Sequence, residues 1–219
     1  MSRVEKPAWR FMLAIAPTLL MLVMIAVVWG NDESVVDAMA DFRMATPALA
    51  SISELFTQYA NVPFYFAYAF ILARAVKKRD KDAAHFVGYY LVSLVATLLV
   101  VYCLKVVVSR PRPFIDGDHE GLFSFNRKFH SFPSNHASET FATTVPFVLR
   151  RRDNAFAFGI GFYCALAGFV RIYLGAHYPS DVLGGLVVGC GVSIVCASLA
   201  KAWFARPASA LLPAGQPQR

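Results

Sequence analysis

The sequence predicts an all-α protein: a six-transmembrane-helix bundle whose functional site lies at the extracytoplasmic membrane surface. The hydrophobic fraction is 57%, and charged residues make up only 16% of the 219 residues, against about 25% in soluble domains. The apolar residues also collect into long continuous runs. Such runs are typical of helices that span a membrane rather than of a large soluble core.

Six apolar runs give the six predicted helices. The first run, 11–30, is nearly unbroken and, at about 1.5 Å per residue, crosses a hydrocarbon core of about 30 Å. The second run, 48–76, has a polar first half and contains Pro63. The third run, 86–108, ends in a polar block that includes Lys105. The last three are a shorter run from 134 to 150, a run from 155 to 174 and a run from 181 to 204.

The first run has a second interpretation, as a cleaved signal peptide. Its basic start, with Arg3, Lys6 and Arg10, fits either a signal peptide or a retained helix. The run is longer than the apolar core of a signal peptide, which has about 7–15 residues. The nearest small-x-small site, 38–40, also lies well past its end. A retained membrane helix is therefore favoured.

Loop charges orient the bundle. Basic residues gather at the N-terminus, in the tail and in the loops after the second and fourth helices, which six spans place on one side. Because cytoplasmic loops are enriched in Lys and Arg, we expect this side to be cytoplasmic, with both termini on it. The opposite side then holds three polar blocks and the acidic segment 31–41, an amphipathic surface segment bordering lipid access or a plain connecting helix.

The chain is predicted to form one domain. Residues 1–206 make up a single polytopic membrane domain, and its polar blocks fall within 105–181. Residues 207–219, which are rich in proline, are expected to form a short disordered cytoplasmic tail. The predicted location is a bacterial-type cytoplasmic (inner) membrane, which the protein crosses several times.

Three polar blocks stand at the ends of apolar runs. The first is Lys105, six residues and then Arg112-Pro113; the second is Pro133-Ser134-Asn135-His136; the third is Arg171, five residues, His177, three residues and Asp181. Ionisable residues beside membrane helices are costly, so they indicate function by default. On a six-span count all three blocks share the outer face, whereas one span more or fewer between them would separate them.

The residue types indicate a phosphate-handling site. Arginine forks match phosphate oxygens and stay charged, and a helix that starts after Ser134 offers free N–H groups to an anion. His177 and Asp181, spaced i and i+4, fall within hydrogen-bond reach on a helix. A carboxylate on one ring nitrogen makes the other more basic, as a nucleophile requires. His136 is then free to protonate the leaving oxygen.

The same residues have a rival interpretation as a metal site. Two histidines and Asp181 have the chemistry to hold a divalent metal. The cations Lys105, Arg112 and Arg171 would repel a metal ion, and they can themselves offset the charge of a phosphoryl transition state. We therefore expect no metal and no other cofactor.

The three blocks, in this order, resemble the type 2 phosphatidic acid phosphatase (PAP2) family of membrane phosphatases. The family pattern is Lys-x6-Arg-Pro, then Pro-Ser-Gly-His, then Ser-Arg-x5-His-x3-Asp. The resemblance implies a metal-independent phospho-histidine mechanism, in which His177 attacks phosphorus, Asp181 orients it and His136 is the general acid. By the same resemblance the phosphate is held by Lys105, Arg112, Ser134, the backbone amide of Asn135, and Arg171.

Two positions depart from the family pattern. Asn135 stands where the family has glycine, and Val170 stands where it has serine. Asparagine tolerates unusual backbone angles better than most residues, so we expect activity with an altered pocket shape. Val170 removes a hydroxyl and with it one secondary contact. Neither change removes a catalytic group.

A site at the membrane surface predicts a membrane lipid phosphate or diphosphate as substrate and the lipid bilayer as partner, with no nucleic acid. Three further cations, Arg110, Arg127 and Lys128, would contact a second phosphate or headgroup. They favour a diphosphate lipid, best undecaprenyl diphosphate. Phosphatidylglycerol phosphate, phosphatidic acid and lipid A phosphates stay open as substrates. So do a lipid phosphotransferase using the same phospho-histidine and a non-enzymatic protein that only binds anionic lipid.

Overall fold

A computed structural model describes residues 7–115, 123–151 and 153–204, so the predicted tail at 207–219 lies outside the described residues. These ranges are helical and contain no β-strand, which confirms the all-α class. The α-helices are α1 (Pro7–Trp29), α2 (Asp32–Ala45), α3 (Pro47–Tyr59), α4 (Val62–Lys78), α5 (Lys81–Val108), α6 (Asn135–Arg150), α7 (Asn154–Tyr173) and α8 (Pro179–Phe204). A 3-10 turn, Arg127–Phe129, precedes α6.

Four of the described helices are long and apolar enough to cross a membrane. They are Ala8–Trp29, Lys81–Val108, Asn154–Tyr173 and Pro179–Lys201, and they match the first, third, fifth and sixth predicted spans. The protein is therefore an integral membrane protein. Helices α4 and α6 are shorter, with 17 and 16 residues. The count of six spans accordingly stays a prediction.

The single helix predicted over 48–76 is wrong, because the structure divides this run into α3 and α4. Helix α3 ends at Tyr59 and α4 begins at Val62. Pro63 lies in the first turn of α4, where its missing N–H leaves no hydrogen bond unmade. A continuous helix would bring the proline ring against the carbonyl four residues earlier. The side chain of Asn61, at the break, accepts a hydrogen bond of 3.0 Å from Thr140 of α6.

The acidic segment after the first span forms helix α2. The side chain of Asn31 caps it by accepting a hydrogen bond of 2.9 Å from the N–H of Ser34. Its apolar face buries Val35 and Met39 in a cluster that also contains residues of α1, α6, α7 and α8. The first turn of α2 is thereby held beside the end of the bundle where the polar blocks lie.

Glycines bring α8 into close contact with α6. A Cβ atom on Gly189 would lie 2.4 Å from the carbonyl oxygen of Ser138, and one on Gly185 would lie 2.7 Å from the Cβ of Ala137. Glycines four residues apart allow membrane helices to approach this closely. Farther along the seam, the N–H of Ser134 donates a 2.9 Å hydrogen bond to the carbonyl of Asp181. The contact therefore holds the second polar block against the third.

We expect Gly189→Ala to destabilise the protein by about 1–3 kcal/mol, since the added methyl group overlaps a backbone carbonyl that cannot turn aside. Gly191→Ala is the matched control, because a Cβ at Gly191 meets no atom within 4 Å. Thermal unfolding in detergent measures the difference. Equal melting temperatures for the two variants would contradict the close α6–α8 contact.

Candidate active site

The first polar block lies at the end of α5. Lys105 is only 7% exposed, and its Nζ donates a 2.7 Å hydrogen bond to the carbonyl of His130. Helix α5 ends when Ser109 adopts a left-handed conformation with φ of 49°. The chain then leaves the helix through Arg110 and Arg112. Lys105 is thus fixed under the segment that leads into α6.

Arg112 is held by backbone groups from two directions. Its N–H donates a 3.0 Å hydrogen bond to the carbonyl of Lys128. Its Nη1 donates a 3.3 Å hydrogen bond to the carbonyl of Ala176, in the turn between α7 and α8. These contacts place the guanidinium of the first block beside the third block.

The second polar block forms the start of α6. Ser134 is the N-cap residue, it is fully buried, and its hydroxyl accepts a long hydrogen bond of 3.5 Å from the N–H of Ala137. Asn135 and His136 follow in the first turn, and both side chains are partly exposed. The first N–H groups of a helix lack partners within the helix and favour a bound anion. The predicted phosphate cradle thus lies at a helix start, and its binding of phosphate stays a prediction.

The third polar block begins in the last turn of α7. Arg171 Nη1 donates a 3.2 Å hydrogen bond to the hydroxyl of Thr57 on α3, while its Nε is buried without a hydrogen-bond partner. After α7, Gly175 turns the chain with φ of 66°. A Cβ there would lie 2.7 Å from a side-chain nitrogen of Arg43. This turn delivers His177 to the interior just ahead of α8.

His177 and Asp181 lie side by side. The imidazole is 1% exposed, the carboxylate is fully buried, and His177 Nδ1 lies 3.4 Å from Asp181 Oδ2. That separation is longer than a normal hydrogen bond, and Nδ1 has no partner of good geometry. Hydrogen bonds between catalytic groups of this kind tighten when substrate binds.

Burial keeps the imidazole of His177 neutral. Desolvation lowers its pKa to about 4, Asp181 opposes this decrease, and the charges of Arg171 and Lys105 add to it. A neutral ring has a free lone pair, so at pH 7 His177 is in the form that a nucleophile requires.

Three donors fix the carboxylate of Asp181. Its Oδ2 accepts hydrogen bonds of 2.6 Å from the hydroxyl of Ser131 and 2.9 Å from the N–H of Tyr178. Its Oδ1 accepts a 2.8 Å hydrogen bond from Nη1 of Arg110. The carboxylate therefore has one orientation, in which Oδ2 faces His177.

All three polar blocks meet at one end of the bundle. Charge interactions link Lys105, Arg112 and Arg171 to His136, and Lys105 and Arg171 also act on His177. The cluster combines a neutral, buried imidazole, a second imidazole and a surplus of positive charge. Such an arrangement suits the binding of a phosphate and the offsetting of its transition-state charge.

The three cations predicted to contact a second phosphate have different surroundings. Arg127 and Lys128 are exposed on the 3-10 turn, and their carbonyl groups accept hydrogen bonds from Arg112. Arg110 is half-buried and paired with two carboxylates, those of Asp32 and Asp181. A phosphate would have to displace these pairs to bind Arg110. Contact of the three cations with a headgroup stays a prediction.

Sequence reasoning missed several residues around the site. Asp32, Ser131 and Ser180 all belong to the hydrogen-bonding network of Asp181 and Arg110.

Arg43 of α2 was missed as well. It donates a 3.3 Å hydrogen bond to the carbonyl of Tyr173, and its guanidinium lies 5.9 Å from the ring of Phe114. Asp32, Arg43 and Ser131 have no spacing that links them to a motif, and Ser180 lies inside the third block but at a position that its pattern leaves open. The acidic segment at 31–41 was the only signal that pointed to this region.

The described residues contain no group of three or more His, Cys, Asp or Glu side chains placed to hold a metal ion. The groups around the two histidines are mainly cations and hydroxyls. Metal independence accordingly stays a prediction for a chelation experiment.

Sequence comparison identifies the family. The model of the PAP2 superfamily matches residues 86–205. The undecaprenyl-diphosphatase BcrC of Bacillus subtilis strain 168 is 34% identical over 140 residues, which are 64% of this chain and 69% of BcrC. A lipid A 1-phosphatase of Rhizobium johnstonii is 35% identical over 135 residues, which are 58% of this chain and 53% of that enzyme.

A solved structure shares the fold. It is the crystal structure of a transmembrane PAP2-type phosphatidylglycerolphosphate phosphatase from Bacillus subtilis. The TM-score is 0.56 with 23% sequence identity, and the similarity covers 85% of this chain and 95% of that chain. The family resemblance carried by the three blocks is thereby confirmed. The chain belongs to the PAP2 superfamily and is a membrane phosphatase of that family.

Proposed function

We propose that the protein is a metal-independent phosphatase that hydrolyses a lipid phosphate or diphosphate, preferably undecaprenyl diphosphate, through a phospho-histidine intermediate. One observation carries the proposal: neutral, buried His177 lies 3.4 Å from the fixed carboxylate of Asp181, within a cluster of three cations. A protein that only binds anionic lipid would need the cations but neither of the two histidines.

The proposed reaction has two displacements at phosphorus. His136 carries a proton once the bound phosphate offsets the neighbouring cations Arg171, Arg112 and Lys105. Nε2 of His177 attacks, a P–N bond forms, and the P–O bond to the leaving group breaks as His136 gives this proton to the departing oxygen. Lys105, Arg112, Arg171 and the first N–H groups of α6 hold the other phosphate oxygens. His136, now neutral, takes a proton from water, which attacks the phospho-histidine and releases inorganic phosphate. His177 then returns to its starting state.

The relatives support a lipid substrate and favour a diphosphate. The name of BcrC specifies undecaprenyl diphosphate, and the exposed cations Arg127 and Lys128 beside Arg112 suit a second phosphate. The lipid A 1-phosphatase and the phosphatidylglycerolphosphate phosphatase keep monophosphate lipids open as alternatives. Phosphatidic acid stays open as well. A lipid phosphotransferase remains the alternative reaction, because any acceptor that reaches the phospho-histidine can replace water.

The proposed topology has six spans, in which α4 and α6 complete the four long helices. Basic residues mark one end of the bundle, where α4 ends at Lys78 and α6 ends at Arg150. Arg150 lies 4.6 Å from the ring of Phe86 near the start of α5, whereas Lys105 near the end of α5 belongs to the site. The positive-inside rule therefore favours an extracytoplasmic site and cytoplasmic termini in a bacterial-type inner membrane.

The function is tested by measuring phosphate release from a lipid panel in detergent, with and without a chelator. The panel contains undecaprenyl diphosphate, phosphatidylglycerol phosphate, phosphatidic acid and a lipid A phosphate. We expect release from undecaprenyl diphosphate to be fastest and to be unchanged by the chelator. Loss of activity on chelation would contradict metal independence, and faster release from a monophosphate lipid would contradict the preference. Transfer to an added lipid acceptor without free phosphate would indicate the transferase.

A further inference from the structure

The first turn of α2 contacts the network that holds the catalytic carboxylate. Arg110 lies between two carboxylates, with Nη1 at 2.8 Å from Asp181 Oδ1 and Nη2 at 2.9 Å from Asp32 Oδ2. The guanidinium also stacks on the ring of Tyr178, 4.1 Å from its centroid. The guanidinium of Arg110 thus connects the start of α2 to the start of α8.

Ser180 closes the network. Its hydroxyl accepts a 2.6 Å hydrogen bond from Nη1 of Arg110 and donates to Asp32 Oδ2. Its N–H donates a 3.2 Å hydrogen bond to Asp32 Oδ1. Both oxygens of Asp32 are therefore engaged at the first turn of α8. Asp32 is 25% exposed and Asp181 is fully buried, so the network runs from the rim of the site inward.

We infer that Asp32 and Arg110 are positioning residues, which set the orientation and effective charge of Asp181 toward His177; the inference rests on the proposed function. Arg110 supplies the donor that holds Oδ1, which leaves Oδ2 directed at the imidazole. Asp32 supplies a second carboxylate, which offsets the charge of Arg110. Asp181 then retains its own negative charge for His177.

The charges of this network predict opposite effects for its two members. Burial lowers the pKa of Arg110, but hydrogen bonds and charge from the two carboxylates more than reverse this decrease, so the guanidinium stays charged. Without Asp32, the positive charge of Arg110 is offset by Asp181 alone. The net positive charge near the imidazole increases, which disfavours protonation of His177. Without Arg110, two carboxylates face the imidazole with no cation between them and favour its protonation.

Other charged groups around His177 are unchanged by these substitutions. Lys105 acts on it from α5, His136 from α6, Arg171 from α7 and Asp181 from α8, while Arg112, in the segment after α5, acts on His136. Because all five are present in every variant, a difference between the variants reports on Asp32 and Arg110 alone.

The test is to titrate His177 by NMR in protein that carries isotope-labelled histidine, with its signal assigned by its loss in His177→Gln. We expect Asp32→Asn to lower the pKa of His177, Arg110→Gln to raise it, and the double variant to return it near the wild-type value. In each single variant kcat for phosphate release should decrease about 10-fold, with KM little changed. Asp37→Asn, which removes an exposed carboxylate from the same helix, should leave the pKa of His177, kcat and KM unchanged.

Two other results would overturn the inference. If the pKa of His177 stays constant or moves in the same direction in both single variants while the melting temperature decreases, the network only attaches α2 to the bundle. If Asp37→Asn has the same effects as Asp32→Asn, general surface charge is the cause. The titration does not depend on turnover. A wild-type protein that releases no phosphate would therefore refute the proposed function, while the titration still decides the role of Asp32 and Arg110.

Discussion

Replacing His177 with glutamine is expected to abolish phosphate release, with a decrease in kcat of at least about 10⁴-fold. Glutamine is similar in length and polar, but it has no lone pair able to form the P–N bond. The imidazole occupies a buried position beside Asp181. A water molecule at that position would be a much weaker nucleophile than the imidazole. The loss should therefore be the same for every lipid in the panel.

The covalent intermediate provides the more direct measurement. Protein quenched during turnover of a lipid with a radiolabelled terminal phosphate should carry label that is stable to base and labile to acid, as a phosphoramidate is. His177→Gln should carry none. His85→Gln is the matched control, since His85 is exposed near the start of α5, and it should be labelled like the wild type. Label on the His177→Gln protein would show that another residue is the nucleophile.

Replacing His136 with glutamine is expected to have an effect that depends on the leaving group. A monophosphate lipid leaves as an alcohol, whose oxygen must be protonated as the P–O bond breaks, so loss of the general acid should slow phosphorylation of His177 by about 10²–10⁴-fold. A diphosphate lipid leaves as a phosphate monoester, whose second pKa is about 6. That group departs without a proton, so phosphorylation should be slowed much less.

Rapid-quench measurements separate the two steps of the His136→Gln variant. With a diphosphate lipid, the phospho-histidine should form quickly and then accumulate, because the base that activates water is missing. With a monophosphate lipid, formation of the phospho-histidine should itself be slow. Equal slowing of the first step with both kinds of lipid would exclude His136 as the general acid. The contrast also shows for which kind of lipid the leaving group departs without a proton from His136.

The groups proposed for catalysis were predictable from the sequence because they lie at the ends of helices, in short motifs. Lys105, Ser134, Arg171 and Asp181 fall in a last or first turn, so local spacing determines where each side chain points. Hydrophobic runs located these helices, since a span of about 20 apolar residues is a strong signal. The structure confirms that the blocks share one end of the bundle.

Contacts between distant segments were not predictable. Asp32 and Arg110 are 78 residues apart, and no periodicity connects an acidic helix start to a residue between two motifs. The prediction for Arg110 considered only the positive charge of its side chain, whereas two carboxylates define its surroundings. The break between α3 and α4, just before Pro63, was missed for another reason. Hydropathy averages over a window and does not register an interruption of two residues between helices.

The shortness of α6 has a consequence for the membrane around the protein. Its 16 residues extend about 24 Å, whereas the hydrocarbon core is about 30 Å thick. In the proposed orientation, Ser134 and His136 then lie below the average level of the outer headgroups. Either the bilayer thins locally or the lipid phosphate moves below the headgroup level to reach these residues. Either adjustment costs a fraction of a kcal/mol per Å of hydrophobic mismatch. If α6 spans the membrane as proposed, we expect turnover to depend on acyl-chain length in the host bilayer as well as on the identity of the headgroup.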